Sequence, residues 1–137
     1  MRKSNITASF DADLKTVWGI VTNNENYVWR SDLLKIEVSD NKNVFTEYSK
    51  DGFSTDFVIT VKEDYKIYEF DMSNQNMVGH WTGIFSEIEN GGTTIDFTEE
   101  IYIKNPLMEV LSYLFMNLKK MQQTYVNDLK KELTQIT

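Results

Sequence analysis

The sequence predicts an α+β domain in which a seven-stranded antiparallel sheet curls around a long C-terminal helix, with two short helices after the first strand. Three observations predict it. Apolar and polar residues alternate at period two in seven stretches, the spacing of half-buried strands. Turn-forming runs join six of these directly, with no helical period between them, so neighbours pair as antiparallel hairpins. From Leu107 to Ile136 apolar residues recur at three and four. A helix of that length buries its stripe against the concave side of a sheet, and the sheet must curl to receive it.

The elements follow in order. Ile6, Ala8 and Phe10 face one way in the first strand, with Asn5, Thr7 and Ser9 opposite. Asp11 or Asp13 then caps a short helix carrying Leu14, Val17, Trp18 and Val21, which Asn23-Asn24 ends. A second short helix or turn covers residues 25–29. Between Leu33 and Lys104 six strands are punctuated by Asp40 to Asn43, Lys50-Asp51-Gly52, Glu63-Asp64-Tyr65, Ser73 to Asn76 and Asn90-Gly91-Gly92. Their inward sets read Leu34/Ile36/Val38, Val44/Thr46/Tyr48, Phe53/Thr55/Phe57/Ile59/Val61, Tyr68/Phe70/Met72, Met77/Trp81/Phe85 and Ile95/Phe97/Glu99/Ile101/Ile103. Asn105 caps the last helix and Pro106 occupies its first position, where a missing N–H costs nothing. Unbroken, that helix would run roughly 45 Å.

Composition narrows the chemistry. The 137 residues suit one domain, 1–137, large enough for a core without staples. No cysteine is present, which removes disulfides, thiolate metal sites and cysteine nucleophiles. His80 is the single histidine, so multi-histidine metal sites and a Ser–His–Asp triad lack support. A net charge of −7 opposes nucleic-acid binding, which needs clustered cations. The glycines do not form a phosphate loop, so no nucleotide or other cofactor is expected, nor any metal. No apolar run follows Arg2-Lys3 and none reaches about 18 residues, so a cytoplasmic protein without stable membrane insertion is expected, as monomer or homodimer.

Four stretches carry a family resemblance: ITASFDADLKTVWGIVTN at residues 6–23, WRSDLLKIEV at 29–38, GHWTGIFSEIENGGTTIDFTEE at 79–100, and the terminal amphipathic helix. Together they resemble the START-like or SRPBCC superfamily, the helix-grip fold of the birch-pollen-allergen and polyketide-cyclase type, over essentially the whole chain. The resemblance implies a small apolar or amphipathic ligand, such as a lipid or polyketide-like molecule, held between sheet and helix. It also admits a cyclase, aromatase or hydratase, and a protein-interaction module like the chaperone-activating relatives.

For such a site the inward parity nominates Tyr48, Thr55, Phe57, Phe70, Trp81, Phe85, Phe97 and Glu99 from the sheet, with Leu111, Phe115 and Leu118 from the helix. Their rings either line a hollow or fill it, since each buries ~150–250 Å². Between Leu107 and Leu118 the apolar arc is roughly 160° wide, which calls for apolar cover. Glu99 is the most informative residue. An inward carboxyl has its pKa raised by desolvation and can act as acid, base or anchor, unless a bulge turns it out. A catalytic assignment rests on Glu99 alone, because the strand parities show no second inward acid. The preferred reading is therefore a binding module, with the enzyme as alternative. Arg30 belongs near the mouth, facing a ligand carboxylate or a nearby acid, and His80 belongs on the convex face.

Overall fold

A computed structural model describes residues 1–135; Ile136, Thr137 and the side chain of Phe115 lie outside the described residues. The elements are β1 (Arg2–Phe10), α1 (Leu14–Thr22), β2 (Leu33–Val38), β3 (Val44–Ser49), β4 (Ser54–Glu63), β5 (Ile67–Ser73), β6 (Met77–Glu87), β7 (Thr93–Ile103), α2 (Pro106–Phe115) and α3 (Leu118–Gln135). All strands join one sheet in the order β1-β7-β6-β5-β4-β3-β2, each pair antiparallel. Only β1 is out of sequence, and it closes on the last strand. This is the curled sheet with a gripped helix that the hairpin pattern predicts.

Two helical expectations are corrected. Residues 25–29 form turns rather than a second short helix. The terminal helix is not continuous: Met116 takes an extended backbone (φ −115°, ψ 100°) and separates α2 from α3. Asn117 is the local cause, since its side-chain oxygen accepts a hydrogen bond from the Lys120 N–H at 3.0 Å and so caps a new helix. The helix that the sheet grips is α3, through Leu118, Gln122, Val126, Leu129 and Leu133. Gln122 pins it to β1, donating to the Ser4 carbonyl and accepting from the Ser4 hydroxyl.

Three strands differ in parity from the sequence reading. In β4 a register shift between Ile59 and Val61 pairs Val61 with Glu69 and turns it outward, and Phe53, just before the strand, is exposed. A bulge between Leu33 and Lys35 buries Leu33 and leaves Leu34 exposed, while Ile36 and Val38 still pack inward. In β3 the inward set is Phe45 and Glu47 rather than Val44, Thr46 and Tyr48, as Phe45 is buried and pairs with buried Phe57. A one-residue change of phase moves every side chain to the other face. Burying Phe45 favours this register, and the acid it carries inward acquires a cationic partner. The register of β7 is as predicted, with Ile95, Phe97, Ile101 and Ile103 buried.

The concave face is a tiled aromatic surface. Phe45 stacks on Phe57 at 4.8 Å and Phe70 on Trp81 at 4.9 Å, with Tyr68 and Phe97 edge-on or tilted beside them. Glycine makes room for this on β6. A Cβ at Gly83 would come within 2.7 Å of the Trp81 ring, and one at Gly79 within 2.7 Å of the Glu100 carbonyl.

Candidate functional site

The charged residues on the concave side come from distant parts of the chain. Glu99 projects from β7, beside Trp81 and across the strand from Ser4. Glu47 projects from β3, and the curl of the sheet brings its charge to bear on Glu99. Arg30 enters from the segment between α1 and β2. Asp128 of α3 anchors that segment by accepting from both the N–H and the hydroxyl of Ser31, each at 2.8 Å.

Arg30 is the hub. Its guanidinium reaches Asp32 at 3.0 Å and Glu47 at 3.5 Å and lies 4.9 Å from the centre of the Tyr125 ring. Its side chain is 15 % exposed and that of Glu47 is 16 %, so the pair is shielded from water, whereas Asp32 lies half in solvent. Burial works against the charge on Arg30, but Glu47 and Asp32 together outweigh it and hold the proton more firmly than usual. Tyr125 completes the wall, edge-on to Trp29 and Phe97. Its hydroxyl is kept protonated, mainly by burial.

Glu99 has no such partner: no described residue donates a hydrogen bond to its carboxylate. Burial raises its pKa to about 7, the negative charge of Glu47 adds to the effect, and Arg30 opposes it. Burial likewise raises Glu47, against the opposing charge of Arg30. Among the described residues no fully enclosed side-chain nitrogen or oxygen lacks a partner. The Glu99 carboxyl therefore opens on space that a water molecule or a ligand atom can reach. Near neutral pH it is present in both protonation states, beside an Arg–Glu pair and against aromatic walls.

The structure gathers some of the predicted residues and disperses others. Phe57, Trp81, Phe85, Phe97 and Leu118 are buried on the concave side, with Phe70 partly buried among them. Thr55 shares that face and accepts from Asn74 at 3.3 Å. Tyr48 points the other way: its hydroxyl lies 3.3 Å from Glu37 and its ring under Lys35. Leu111 lies on α2, whose apolar arc turns outward, leaving Leu107, Val110 and Leu114 exposed. The side chain of Phe115 is outside the described residues.

Glu47 is the residue that sequence reasoning missed, and with it the second inward acid. Its signal was available in the alternation of Phe45 with Glu47, had the phenylalanine set the phase. Arg30 meets the nearby acid Asp32 as expected and, in addition, this buried one. A depression of about 460 Å³ lies on the convex face among Val58, Asp71, Val78, His80 and Tyr102. It is an open groove in which His80 is held between Asp71 at 2.6 Å and Glu69 at 2.7 Å. Among the described residues no cluster of His, Cys, Asp and Glu has the arrangement to hold a metal ion, and no helix is long and apolar enough to cross a membrane.

Solved structures share this architecture along nearly the whole chain. A START superfamily protein from Mycobacterium smegmatis superposes with a TM-score of 0.77 at 12% identity, covering 98% of this chain and 99% of that one. The chain is START-like in fold. A conserved protein from Geobacillus kaustophilus gives a TM-score of 0.80 at 9% identity over 98% of this chain and 96% of that one. DynU16, a putative protein in the dynemicin biosynthetic locus, gives 0.74 at 16% identity over 96% of this chain and 47% of its own. No family model and no curated protein matches the sequence. At these identities the START-like likeness establishes the fold and leaves function to the residues of the site.

Proposed function

We propose that this START-like chain binds a small amphipathic molecule, with its apolar body against the aromatic concave face and α3, and its polar end at Arg30, Glu47 and Glu99. The observation that carries the reading is Glu99, an inward carboxyl with no protein hydrogen bond. A ligand carbonyl would accept from its protonated form, and a ligand hydroxyl would donate to its ionised form. Arg30 is already engaged by Glu47 and Asp32, so the site favours an uncharged hydroxyl- or carbonyl-bearing ligand over a free carboxylic acid. Lipid-like and polyketide-like molecules are the classes the START-like resemblance implies, and the biosynthetic setting of DynU16 supports the second. Burying ~300 Å² of apolar ligand surface is worth about 7 kcal/mol before ordering costs, enough for roughly micromolar affinity once the anchors contribute.

One observation favours a second reading, an enzyme of cyclase, aromatase or hydratase type. A carboxyl near pKa 7 beside Glu47 and Arg30 has the properties of a general acid or base. The test of binding is native mass spectrometry of the purified chain, together with titration by an uncharged naphthyl ketone followed by quenching of tryptophan fluorescence. Retained apolar compounds, or saturable micromolar quenching that Glu99→Gln weakens, support binding. A ligand-free spectrum with no quenching overturns it. Turnover of a bound polyketide-like compound that Glu99→Gln abolishes would move the assignment to the enzyme.

A further inference from the structure

Helix α2 is turned inside out. Its polar residues face the body of the protein: Ser112 is buried and its carbonyl accepts from Arg2 at 3.1 Å, while Glu109 meets the Met1 amino group at 3.0 Å. Five of its apolar residues face water, with Leu107 66%, Val110 67%, Tyr113 63% and Leu114 77% exposed and Met108 at 46%. At 100° per residue these five occupy roughly 220° of the circumference. A helix on a globular protein ordinarily presents the opposite face, and a contiguous apolar patch of this kind marks a contact.

Charge identifies what makes the contact. Residues 1–5 and 100–121 hold five basic side chains, Arg2, Lys3, Lys104, Lys119 and Lys120, against two acidic ones, Glu100 and Glu109. Both acids are already engaged, Glu100 by Lys3 and Glu109 by the Met1 amino group. These two segments are therefore net positive on a chain whose net charge is −7. Arg2, Lys3 and Lys119 also line a depression of about 270 Å³, shared with Tyr113 and Asn117.

An apolar helix face flanked by cations is the form of a helix that lies in the plane of a bilayer interface. Each Lys or Arg brought near an anionic lipid surface contributes about 1 kcal/mol. A second copy applied to the same face would set these cations against each other. We propose that α2 docks the protein on an anionic phospholipid surface, its apolar residues at the acyl boundary and Arg2, Lys3 and Lys119 among the headgroups. With 10 residues the helix is roughly 15 Å long, half a bilayer's hydrocarbon thickness, so it rests on the membrane and does not span it. The proposal is independent of the concave site.

The experiment is co-sedimentation of the whole chain with vesicles of phosphatidylcholine, with and without phosphatidylglycerol. Binding only to the anionic vesicles, released by salt, is expected. Leu114→Glu and the double variant Lys3→Glu with Lys119→Glu are each expected to weaken it by about tenfold or more, with the folded circular dichroism spectrum retained and the double variant's thermal midpoint lowered by loss of the Lys3–Glu100 pair. Failure of the folded wild type to bind either vesicle overturns the proposal. So does equal binding to both vesicle types that the charge reversals leave unaffected. A dimer in sedimentation equilibrium that Leu114→Glu dissociates would also overturn it, by assigning the face to a second copy.

Discussion

Replacing Glu99 with glutamine removes a carboxyl whose titration is coupled to folding. Its ordinary pKa of 4.5 rises to about 7 in the folded chain, through burial first and Glu47 second. Between those values the folded state holds a proton that the unfolded state has released. The stabilisation is thus complete below about pH 4.5 and is lost as pH rises through about 7. At about 1.4 kcal/mol per unit the whole shift corresponds to about 3 kcal/mol, an upper value because the carboxyl reaches solvent. About 2 kcal/mol of it falls between about pH 5 and about pH 8. Wild type should therefore lose about that much relative to Glu99→Gln on going from the lower to the higher pH, or roughly 6–10 °C in relative Tm. Urea or thermal unfolding of both proteins at both pH values measures it, and subtraction cancels every titration not coupled to Glu99. A gap between the two proteins that does not change with pH would refute the claim that Glu99 is desolvated.

Three further outcomes follow from the geometry. Arg30→Met leaves Glu47 buried without its cation and should cost about 3 kcal/mol in urea unfolding, with Arg30→Met/Glu47→Leu recovering much of the loss. The histidine signal in proton NMR should titrate above 6.5, because hydrogen bonds from His80 to Asp71 and Glu69 outweigh its partial desolvation. Its stabilising contribution is present below its unfolded pKa and lost as pH rises through the folded one, and Asp71→Asn should lower that midpoint. Gly83→Ala places a methyl against the Trp81 ring and should cost about 1–3 kcal/mol, with a changed near-ultraviolet dichroism as Trp81 shifts against Phe70.

Much of this molecule is legible before folding is considered. The turn residues from Asn41 to Gly92 divide the strands correctly, and the Asn105-Pro106 start of α2 holds. The inward parity of β5, β6 and β7 is correct because long alternating runs of large apolar residues leave one phase to choose. The failures sit where local pattern is ambiguous. In β3 the sets Val44/Thr46/Tyr48 and Phe45/Glu47 compete, and only burial of Phe45 against Phe57 and Phe70 decides between them. In the terminal segment the three-and-four spacing runs unbroken through Met116, so the pattern conceals a break that Asn117 caps.

The sequence alone determined the run of hairpins from β2 to β7, because turn chemistry and period are local properties that neighbouring residues enforce by sterics and hydrogen bonding. It also nominated Glu99 as an inward carboxyl, with a bulge that turns it out as the open alternative. The meeting of Glu99 with Glu47 and Arg30, and the outward turn of α2, were decided by tertiary structure. The first depends on how far the sheet curls, and the second on where α3 begins. Both are set by packing between residues far apart in the chain, which no local spacing encodes.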